Sequence, residues 1–376
     1  MVRKPALIER ITSDRPPEPI ARIRFTSALR SEGMAARLGV ALGIAFTVAF
    51  ATGLFSHFLQ HPPSWLDWPS RPTWLYRVTQ GVHVIGGIAA IPLLLAKLWT
   101  VYPKLWQWPP LRSAAHAAER GLVLLLVAGA MFQLVTGLLN IAYTYPWSFF
   151  FPVAHYWTAF IVYGALVVHV TNEWAKVRRS LPEPLEGGRR GFLLTVGAAS
   201  GLAVLLTAGE TVTPLRRLAL LAPRAPGVGP QGLPVNRTAQ AAGVVAPGPD
   251  YRLEIGALSL SYEDLRRLPQ HTVELPIACV EGWSASARWT GVRLGDLARS
   301  AGASPDAVLR VESLEPHGGY RTSELRPPHW TDPLTLLALR LDGQTLHIDH
   351  GYPVRLIAPN RPGAQQTKWI HRIVIT

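Results

Sequence analysis

Cys279-Val280-Glu281-Gly282-Trp283-Ser284, followed by Trp289-Thr290-Gly291-Val292, is the most informative stretch of this 376-residue chain. Cys279 is its only cysteine. A single cysteine cannot form an intrachain disulfide, a four-cysteine zinc site or an iron–sulfur cluster, so its thiolate can take part in chemistry only alone or with a cofactor. A lone cysteine is more often a small buried hydrophobe. The residues around Cys279 and later in the chain decide between these two interpretations.

A second block of motifs near the C-terminus favours the chemical interpretation. It runs from Leu341-Asp342-Gly343-Gln344 through Asp349-His350-Gly351-Tyr352-Pro353-Val354-Arg355-Leu356 to Thr367-Lys368-Trp369. Together the two blocks resemble the molybdenum-cofactor domain of the sulfite oxidase superfamily, and the resemblance covers residues 236–376. It implies that Cys279 binds molybdenum directly, a role that suits a soft thiolate on a redox-active metal.

The resemblance also implies which residues hold the pterin part of the cofactor, which ends in a phosphate. His350 departs from the methionine sulfoxide reductase branch of the family, which has Asn at that position. The implied phosphate and pterin contacts are Arg355, Gln366, Thr367, Lys368, Asn236, Ala239, Gln240, Ser313 and His350.

The end of the sequence suggests which branch of the family is closest. The chain ends at Thr376, directly after the last predicted strand, where sulfite oxidases continue into an immunoglobulin-like dimerisation domain. We therefore expect a domain similar to the periplasmic methionine sulfoxide reductase catalytic subunit, which works with a separate heme-containing membrane anchor. In this chain the anchor and the catalytic domain are expected to be fused.

Five apolar stretches predict helices that span a membrane. Hydrophobic residues make up 48% of the chain. Most of the stretches approach the roughly 20 residues that a helix needs to cross the hydrocarbon core. They are residues 38–58, 78–99, 122–141, 153–170 and 192–208.

The distribution of Lys and Arg predicts the orientation in the membrane. Residues 1–37 hold eight, 97–120 hold four and 173–190 hold five, whereas the loops 59–77 and 140–152 hold two and none. Basic loops stay on the cytoplasmic side. We therefore expect a multi-pass protein of the cytoplasmic membrane, with its N-terminus inside and everything after residue 208 outside.

The net charge of +13 does not indicate a nucleic-acid partner. From Gly209 onward the chain has 18 Lys and Arg against 15 Asp and Glu. The excess positive charge therefore lies in segments that flank the membrane, where it sets orientation. We predict lipid as the partner of the N-terminal half and no binding of nucleic acid.

Composition and periodicity together predict the domain organisation. A flexible cytoplasmic tail (1–37) precedes a four-helix bundle (38–175), a fifth tethering helix (189–210), a Pro/Gly-rich tether (211–235) and an α+β domain (236–376). Short helices are expected after Ser261 and over 293–301. Strands are expected at 251–260, 272–279, 308–313, 344–348, 354–358 and 369–375.

Histidines in the bundle predict heme binding. His155 and His169 are 14 residues apart on one predicted helix, which places them on one face and about 21 Å apart along the axis. Two stacked hemes need that separation, each held by one such histidine and one from a neighbouring helix. This section resembles the diheme cytochrome b of formate dehydrogenase gamma-type subunits.

The partners of this histidine pair are less uniquely indicated. For His155 we favour His83, which lies deep in an apolar stretch near glycines that would let a flat macrocycle approach; His57 is the alternative. For His169 the candidate is His116, which departs from the gamma-subunit pattern, whose inner partner comes from the first helix. A solvated histidine at the membrane interface is the other interpretation of His116.

Arg189-Arg190-Gly191-Phe192-Leu193-Leu194 resembles a twin-arginine export signal placed inside the chain. The alternative interpretation is the positive flank of an ordinary membrane helix. The Phe-Leu pair, the short Gly- and Ala-rich helix that follows, and a downstream domain that must take up its pterin before crossing all favour export. The twin-arginine machinery is therefore a predicted partner.

These features combine into one functional prediction. The chain is expected to be a molybdopterin oxidoreductase that exchanges electrons between membrane quinone and an outward-facing molybdenum centre through two b-type hemes. Reduction of a small sulfoxide or N-oxide is the predicted reaction, with sulfite oxidation as the alternative. Two further alternatives are an electron-transfer cytochrome with a non-catalytic outer domain and a transporter, for which Pro92 is weak support. Arg288, His317, Tyr320 and Arg321 are either substrate-pocket residues or an exposed loop.

Overall fold

The computed structural model describes residues 25–63, 65–222 and 227–376. Most of the predicted N-terminal tail and part of the tether, including Pro223 and Pro226, lie outside these residues. The chain forms two compact units. The first contains residues up to Ala51 together with His83–Val204, and the second contains Thr52–Val82 together with Leu205–Thr376.

Among the described residues, five helices are long and apolar enough to cross a membrane, by length and composition. Each begins at or before the predicted apolar stretch and ends at or beyond it, because an apolar pattern marks only the centre of a helix whose ends carry polar residues. The first helix already begins inside the predicted tail. The helices are α1 (Glu32–Gln60), α2 (Leu75–Val101), α3 (Ala114–Ile141), α4 (Phe151–Ser180) and α5 (Gly188–Ala208).

Small residues let two helices of the first unit approach closely. A Cβ added at Gly129 of α3 would lie 2.4 Å from Cγ2 of Val162 on α4. Ala130 and Ala165 are buried at the same helix pair. Close approach through small side chains is how helices associate in lipid.

The second unit contains two five-stranded sheets. In the first sheet the strand order is β2-β1-β10-β5-β6, and in the second it is β3-β4-β7-β8 with β9 paired to β7. The strands are β1 (Arg252–Ile255), β2 (Leu258–Ser261), β3 (His271–Ala278), β4 (Ser284–Arg293), β5 (Leu309–Ser313), β6 (Thr322–Leu325), β7 (Leu336–Leu341), β8 (Gln344–Thr345), β9 (Arg355–Ile357) and β10 (Ile370–Ile375). Short helices between them are α6 (Ala239–Ala242), α7 (Tyr262–Arg267), α8 (Leu294–Ser300) and α9 (Pro327–Trp330).

The structure corrects part of the strand prediction. The expected strand 251–260 is two strands, because Gly256 adopts a φ of +53° and turns the chain. Strands β4, β6 and β7 were not predicted. Five of the six residues of β7 are buried, so this strand lacks the alternation of polar and apolar residues that identifies a half-buried strand. The expected helix start at Ser261 is confirmed by a capping box with Asp264.

The segment between α1 and α2 belongs to the second unit rather than to a separate bundle domain. The Asp332 carboxylate accepts hydrogen bonds from Nε and Nη2 of Arg71, both at 3.1 Å, and from Ser70 Oγ at 2.7 Å. Nδ2 of Asn360 donates to the Pro69 carbonyl at 2.8 Å. Residues 52–82 are therefore held to the C-terminal sheets by buried polar side chains.

We expect Asp332→Asn to destabilise this unit in a pH-dependent way. Burial alone raises the pKa of Asp332, but hydrogen bonds from Arg71, the Leu334 N–H and Ser70 more than offset burial and hold the pKa below its ordinary value. A lowered pKa in the folded state stabilises the protein above the unfolded pKa, and this stabilisation is lost as pH falls through the folded value.

The expected change is a fall of only about 3 °C in the unfolding midpoint at pH 7. Arg71 remains largely exposed, so solvent screens its ion pair with Asp332. The difference from wild type should shrink below about pH 4, as the carboxyl protonates. Thermal unfolding of detergent-solubilised protein measures both. Asp306→Asn, at an exposed loop position, is the matched control, and a difference that is the same at all pH values would contradict this account.

Candidate active site

Cys279 lies in a tight turn directly after β3 and is 2% exposed. Its N–H donates to the Trp283 carbonyl at 2.8 Å, and the Gly282 N–H donates back to the Cys279 carbonyl at 3.1 Å. Gly282 has a φ of +102°, which a residue with a side chain rarely adopts. We call residues 279–283 the Cys279 turn. The turn explains why Gly282 and Trp283 accompany the cysteine in the motif.

Five of the predicted cofactor-binding residues surround a single recess in the second unit. This recess has about 280 Å³ of empty space. Its lining includes Cys279, Asn236, His350, Arg355 and Lys368, and also residues that were not predicted to contact the cofactor. These are Pro234, Val235, Ile277, Trp283 and Gly363.

The recess contains two cationic side chains, Arg355, which is buried, and Lys368, which is half-buried. Arg355 is 4% exposed, and within the described residues its Nε has no hydrogen-bond partner. Its Nη1 donates to the His350 carbonyl at 3.3 Å, and its guanidinium lies 5.4 Å from the centroid of the Trp289 ring. Nζ of Lys368 donates to the carbonyls of Arg237 and Asp349 at 2.6 and 3.0 Å. Neither cation forms an ion pair with any carboxylate in the described part of the chain.

Burial disfavours the charged form of these groups. It lowers the pKa of Lys368 to about 7, with a further contribution from the neighbouring Arg355 charge. It lowers the pKa of Arg355 to about 9 and that of His350 to about 4. An anion bound in the recess would favour the charged forms of Lys368 and Arg355. The recess is therefore suited to a ligand with a negatively charged group.

Gly351 brings the two cations together. It has a φ of +105°, and a Cβ added there would lie 3.1 Å from side-chain carbons of both Arg355 and Lys368. His350, just before it, donates from Nε2 to the Pro230 carbonyl at 2.7 Å. The Asp349-His350-Gly351 motif thus forms a turn against which the side chains of Arg355 and Lys368 pack.

The remaining predicted cofactor contacts lie around the recess but bond to protein. Oγ of Ser313 donates to the Lys368 carbonyl at 2.7 Å, and the Thr367 hydroxyl pairs with Ser323 at 2.7 Å. Gln366 is buried and accepts from the Ala358 N–H at 3.2 Å. These three side chains support the residues next to them. The cofactor contacts of Ser313, Gln366 and Thr367 stay predictions.

Two neighbouring residues in the predicted entry segment of the domain differ in their exposure to solvent. Ala239 is buried, and its N–H donates to Oδ1 of Asp349 at 2.7 Å. Gln240 is exposed on α6 and does not line the recess. The structure therefore does not support a side-chain contact from Gln240.

Of the four loop residues considered for substrate binding, Tyr320 stands out. Burial raises the pKa of Tyr320, and the negative charge of a Cys279 thiolate adds to the shift. Arg288 lies largely exposed, with Nε 3.7 Å from Asp342. His317 and Arg321 are also exposed. Among these four residues, Tyr320 is the one whose pKa shift includes a contribution from Cys279.

Residues from the membrane helices hold the Cys279 turn, which no sequence motif indicated. Nε2 of Gln80, on α2, donates to the Val280 carbonyl at 3.0 Å. Oγ1 of Thr211, just after α5, donates to the Gly282 carbonyl at 2.7 Å. Leaving such a buried carbonyl without a donor costs about 1–3 kcal/mol.

In the first unit, His83 and His155 face each other. Their ring centroids are 6.1 Å apart. Nδ1 of His83 donates to the Ala49 carbonyl at 2.8 Å. Nδ1 of His155 lies 3.0 Å from Thr136 Oγ1, whose own proton is directed to the Phe132 carbonyl at 2.7 Å, so the histidine is the donor. Both Nδ1 atoms carry protons, and both Nε2 atoms are left as possible metal ligands.

The other bundle histidines are arranged differently. His57 has its ring 4.9 Å from that of His61. Nδ1 of His116 accepts from the Arg112 N–H at 3.2 Å at the start of α3. Within the described part of the chain, no ring contact joins His116 to His169. The structure thus brings together one of the two predicted histidine pairs.

Comparison with known proteins agrees with the geometry of the recess. Residues 242–376 match the family model described as oxidoreductase molybdopterin binding domain. The match begins after Asn236, Ala239 and Gln240, so these three stay predictions.

Relatives with this similarity come from animals and bacteria. Mitochondrial sulfite oxidase of Drosophila melanogaster is 32% identical over 155 residues, which cover 34% of this chain and 27% of that protein. YedZ1 of Azospira oryzae, named as a protein-methionine-sulfoxide reductase subunit, is 33% identical over 34% of this chain and 49% of its own length. The oxidoreductase YuiH of Bacillus subtilis is 32% identical over 34% of this chain and 63% of its own length.

The chain thus spans between about a quarter and two thirds of the length of these relatives. The similarity, the two-sheet fold and the recess around Cys279 all concern the same part of the molecule. Over residues 242–376 the chain is similar to the oxidoreductase molybdopterin binding domain, and its similarity to sulfite oxidase covers 34% of the chain.

Proposed function

We propose that this chain is a membrane-bound molybdopterin oxidoreductase. The observation that carries the proposal is the buried Cys279 thiol in a recess lined by the cations Arg355 and Lys368, in a region that matches the molybdopterin-binding family model. A soft thiolate beside an anion-binding site fits a metal held by a phosphorylated pterin. When bound, the molybdenum would supply two-electron oxygen-atom transfer.

The residues of the recess have separate roles in this proposal. Cys279 ligates the metal, and Arg355 and Lys368 bind the pterin phosphate. Asn236 and His350 line the recess and orient the pterin. Ala239, Ser313, Gln366 and Thr367 contribute through backbone groups and through the bonds that fix their neighbours. Tyr320 faces the reacting substrate, because its hydroxyl interacts electrostatically with Cys279.

His83 and His155 are proposed to hold a b-type heme. Their ring centroids lie 6.1 Å apart, and two histidines on neighbouring helices are the side chains that would hold a heme iron. The protonated Nδ1 atoms, held by Ala49 and Thr136, orient both rings as outer partners of metal-bound histidines do. A heme here would supply one-electron transfer. His169 and His116 are the proposed ligands of a second heme, on sequence spacing alone.

The membrane assignment follows from helix length, composition and charge. Five apolar helices and the Lys/Arg asymmetry of their loops support a multi-pass protein whose molybdopterin domain lies outside the cytoplasm. Quinone dissolved in the bilayer is the proposed electron partner of the hemes.

The proposed reaction is reduction of a small sulfoxide or N-oxide with electrons from quinol. Purified protein reduced with a quinol analogue tests it, since a true substrate reoxidises the hemes and shifts their absorbance. Sulfite added to the oxidised protein tests the reverse direction, because it would reduce the hemes instead. Heme absorbance that responds to none of these compounds would favour an electron-transfer cytochrome with a non-catalytic outer domain.

We further propose that Arg189 and Arg190 at the start of α5 form an internal twin-arginine signal. Lysine replacements keep the charge that orients a helix. Arg189→Lys with Arg190→Lys should therefore leave the C-terminal domain inside the cell, whereas Arg178→Lys with Arg179→Lys, at the end of α4, should not. Protease added to spheroplasts measures cleavage beyond Gly209. Normal cleavage in the first double variant would mean that charge alone orients α5.

A further inference from the structure

The Cys279 turn is completed by two segments that come from the membrane part of the sequence. α2 contributes Gln80, which is 6% exposed, and the chain after α5 contributes Thr211, which is 8% exposed. Each donates a side-chain hydrogen bond to a carbonyl of the turn, at Val280 and Gly282. Within the turn, the Cys279 N–H donates to the Trp283 carbonyl and the Gly282 N–H donates to the Cys279 carbonyl.

A third side chain braces this arrangement. Arg77, one turn before Gln80 on α2, donates from Nε and Nη2 to the Thr211 carbonyl at 3.3 and 2.8 Å. The Ser284 N–H donates to the Glu210 carbonyl at 2.9 Å, which continues the strand edge toward α5. A Cβ added at Gly81 would lie 2.6 Å from Cγ2 of Thr211. The two segments thus contact each other as well as the turn.

We propose that Gln80 and Thr211 are positioning residues that set the orientation of the Cys279 sulfur toward the metal. This proposal rests on the proposed function of Cys279 as a molybdenum ligand. Val280 directly follows Cys279 in the sequence, and the Gly282 N–H donates to the Cys279 carbonyl. Movement of the Val280 or the Gly282 carbonyl therefore rotates the Cys279 backbone. A metal ligand needs such outer support to hold its geometry.

The inference assigns a specific role to the fusion of membrane helices and molybdopterin domain. The two donors lie about 130 residues apart in sequence, in α2 and after α5. Both hydrogen bonds are needed to hold the Cys279 turn in this geometry. The membrane segments are therefore part of the active site and not only its anchor.

Full-length protein carrying Gln80→Leu or Thr211→Val tests the proposal, because each replacement keeps the shape and removes the donor. We expect turnover with an artificial electron donor to fall about tenfold, the equivalent of one lost hydrogen bond. The Mo(V) electron paramagnetic resonance spectrum should change its g values, because these depend on the orientation of the thiolate. Thr211→Ser, which keeps the hydroxyl, should restore both.

The matched control is Gln270→Leu. Gln270 also donates to backbone carbonyls, of Leu265 and Leu268, but it does not contact the turn. Its turnover and spectrum should equal those of wild type. Unchanged g values in both Gln80→Leu and Thr211→Val would overturn the positioning role, as would the same spectral change in Gln270→Leu.

The molybdenum content of the variants and of wild type distinguishes failure of the positioning role from failure of the proposed function. If Thr211→Val loses the metal while Thr211→Ser keeps it, the hydroxyl is required and the positioning role is supported. If both variants lose the metal, keeping the hydroxyl does not keep the metal, and this outcome contradicts the positioning role. Wild-type protein without molybdenum would instead overturn the proposed function itself.

Discussion

Replacement of Cys279 by Ser should abolish turnover while the heme spectra remain those of wild type. A hydroxyl is a harder and poorer ligand for molybdenum than a thiolate. Loss of an outer partner of a metal ligand already costs 10- to 100-fold in many metalloenzymes, so loss of the ligand itself should cost at least about 100-fold. The proposed heme ligands lie in the other compact unit, so their spectra should not respond.

Turnover with an artificial electron donor is the decisive measurement, because it bypasses the hemes. Pterin content, measured as its fluorescent oxidation product, shows whether the variant still folds around the cofactor. Retention of more than about a tenth of the wild-type rate, only ~1.4 kcal/mol in the barrier, would rule out Cys279 as the metal ligand.

His155→Ala should remove one b-type heme, and His83→Ala should remove the same one. Axial ligation holds the macrocycle, and the two Nε2 atoms are the only ring nitrogens of this pair not already engaged as donors to Ala49 and Thr136. The pyridine hemochrome assay should report about half of the wild-type heme in either single variant and the same amount in the double variant.

His57→Ala is the control for this experiment, since His57 is the alternative partner by sequence and has a ring contact with His61. It should keep the full heme content. Loss of heme in His57→Ala, with retention in His83→Ala, would exchange their roles. His169→Ala should remove the other heme, and a wild-type protein without heme would leave the bundle as an anchor only.

The two sequence motifs that carry the family resemblance coincide with tight turns beside the recess. Gly282 and Gly351 both need a positive φ at a tight turn, and each turn presents functional side chains next to it. Such turns require particular residues at fixed spacing. That is why Cys279, His350, Arg355 and Lys368 were recognisable before they were seen to share one recess.

The contacts made by the membrane segments could not be predicted in the same way. Gln80 and Thr211 are single polar residues in apolar or irregular surroundings, and no spacing relates them to Cys279. Their role depends on the folded path of the chain. The same holds for Arg71 and Ser70, whose partner Asp332 is about 260 residues away. Long-range polar contacts leave no periodic signal in one sequence.

The histidine pairs show the limit of spacing as evidence. The interval between His155 and His169 defined one helix face, and the structure shows them on one continuous helix. Spacing along one helix does not identify residues on its neighbours. His83 is preferred to His57 because it lies deep in an apolar stretch near glycines, but the 6.1 Å separation between its ring and that of His155 is visible only in the packed helices.

The unit that contains Cys279 is discontinuous in the chain, and this has a consequence for biogenesis. Thr52–Val82 is synthesised early, and in the proposed topology it enters the membrane with the first helices, whereas the sheets follow after residue 250. A molybdopterin domain that crossed the membrane already folded would still lack the early segment, and it would acquire Gln80 only on arrival. Maturation of the enzyme would then end outside the cytoplasm, and a domain released by proteolysis at the tether would remain an unfinished catalyst.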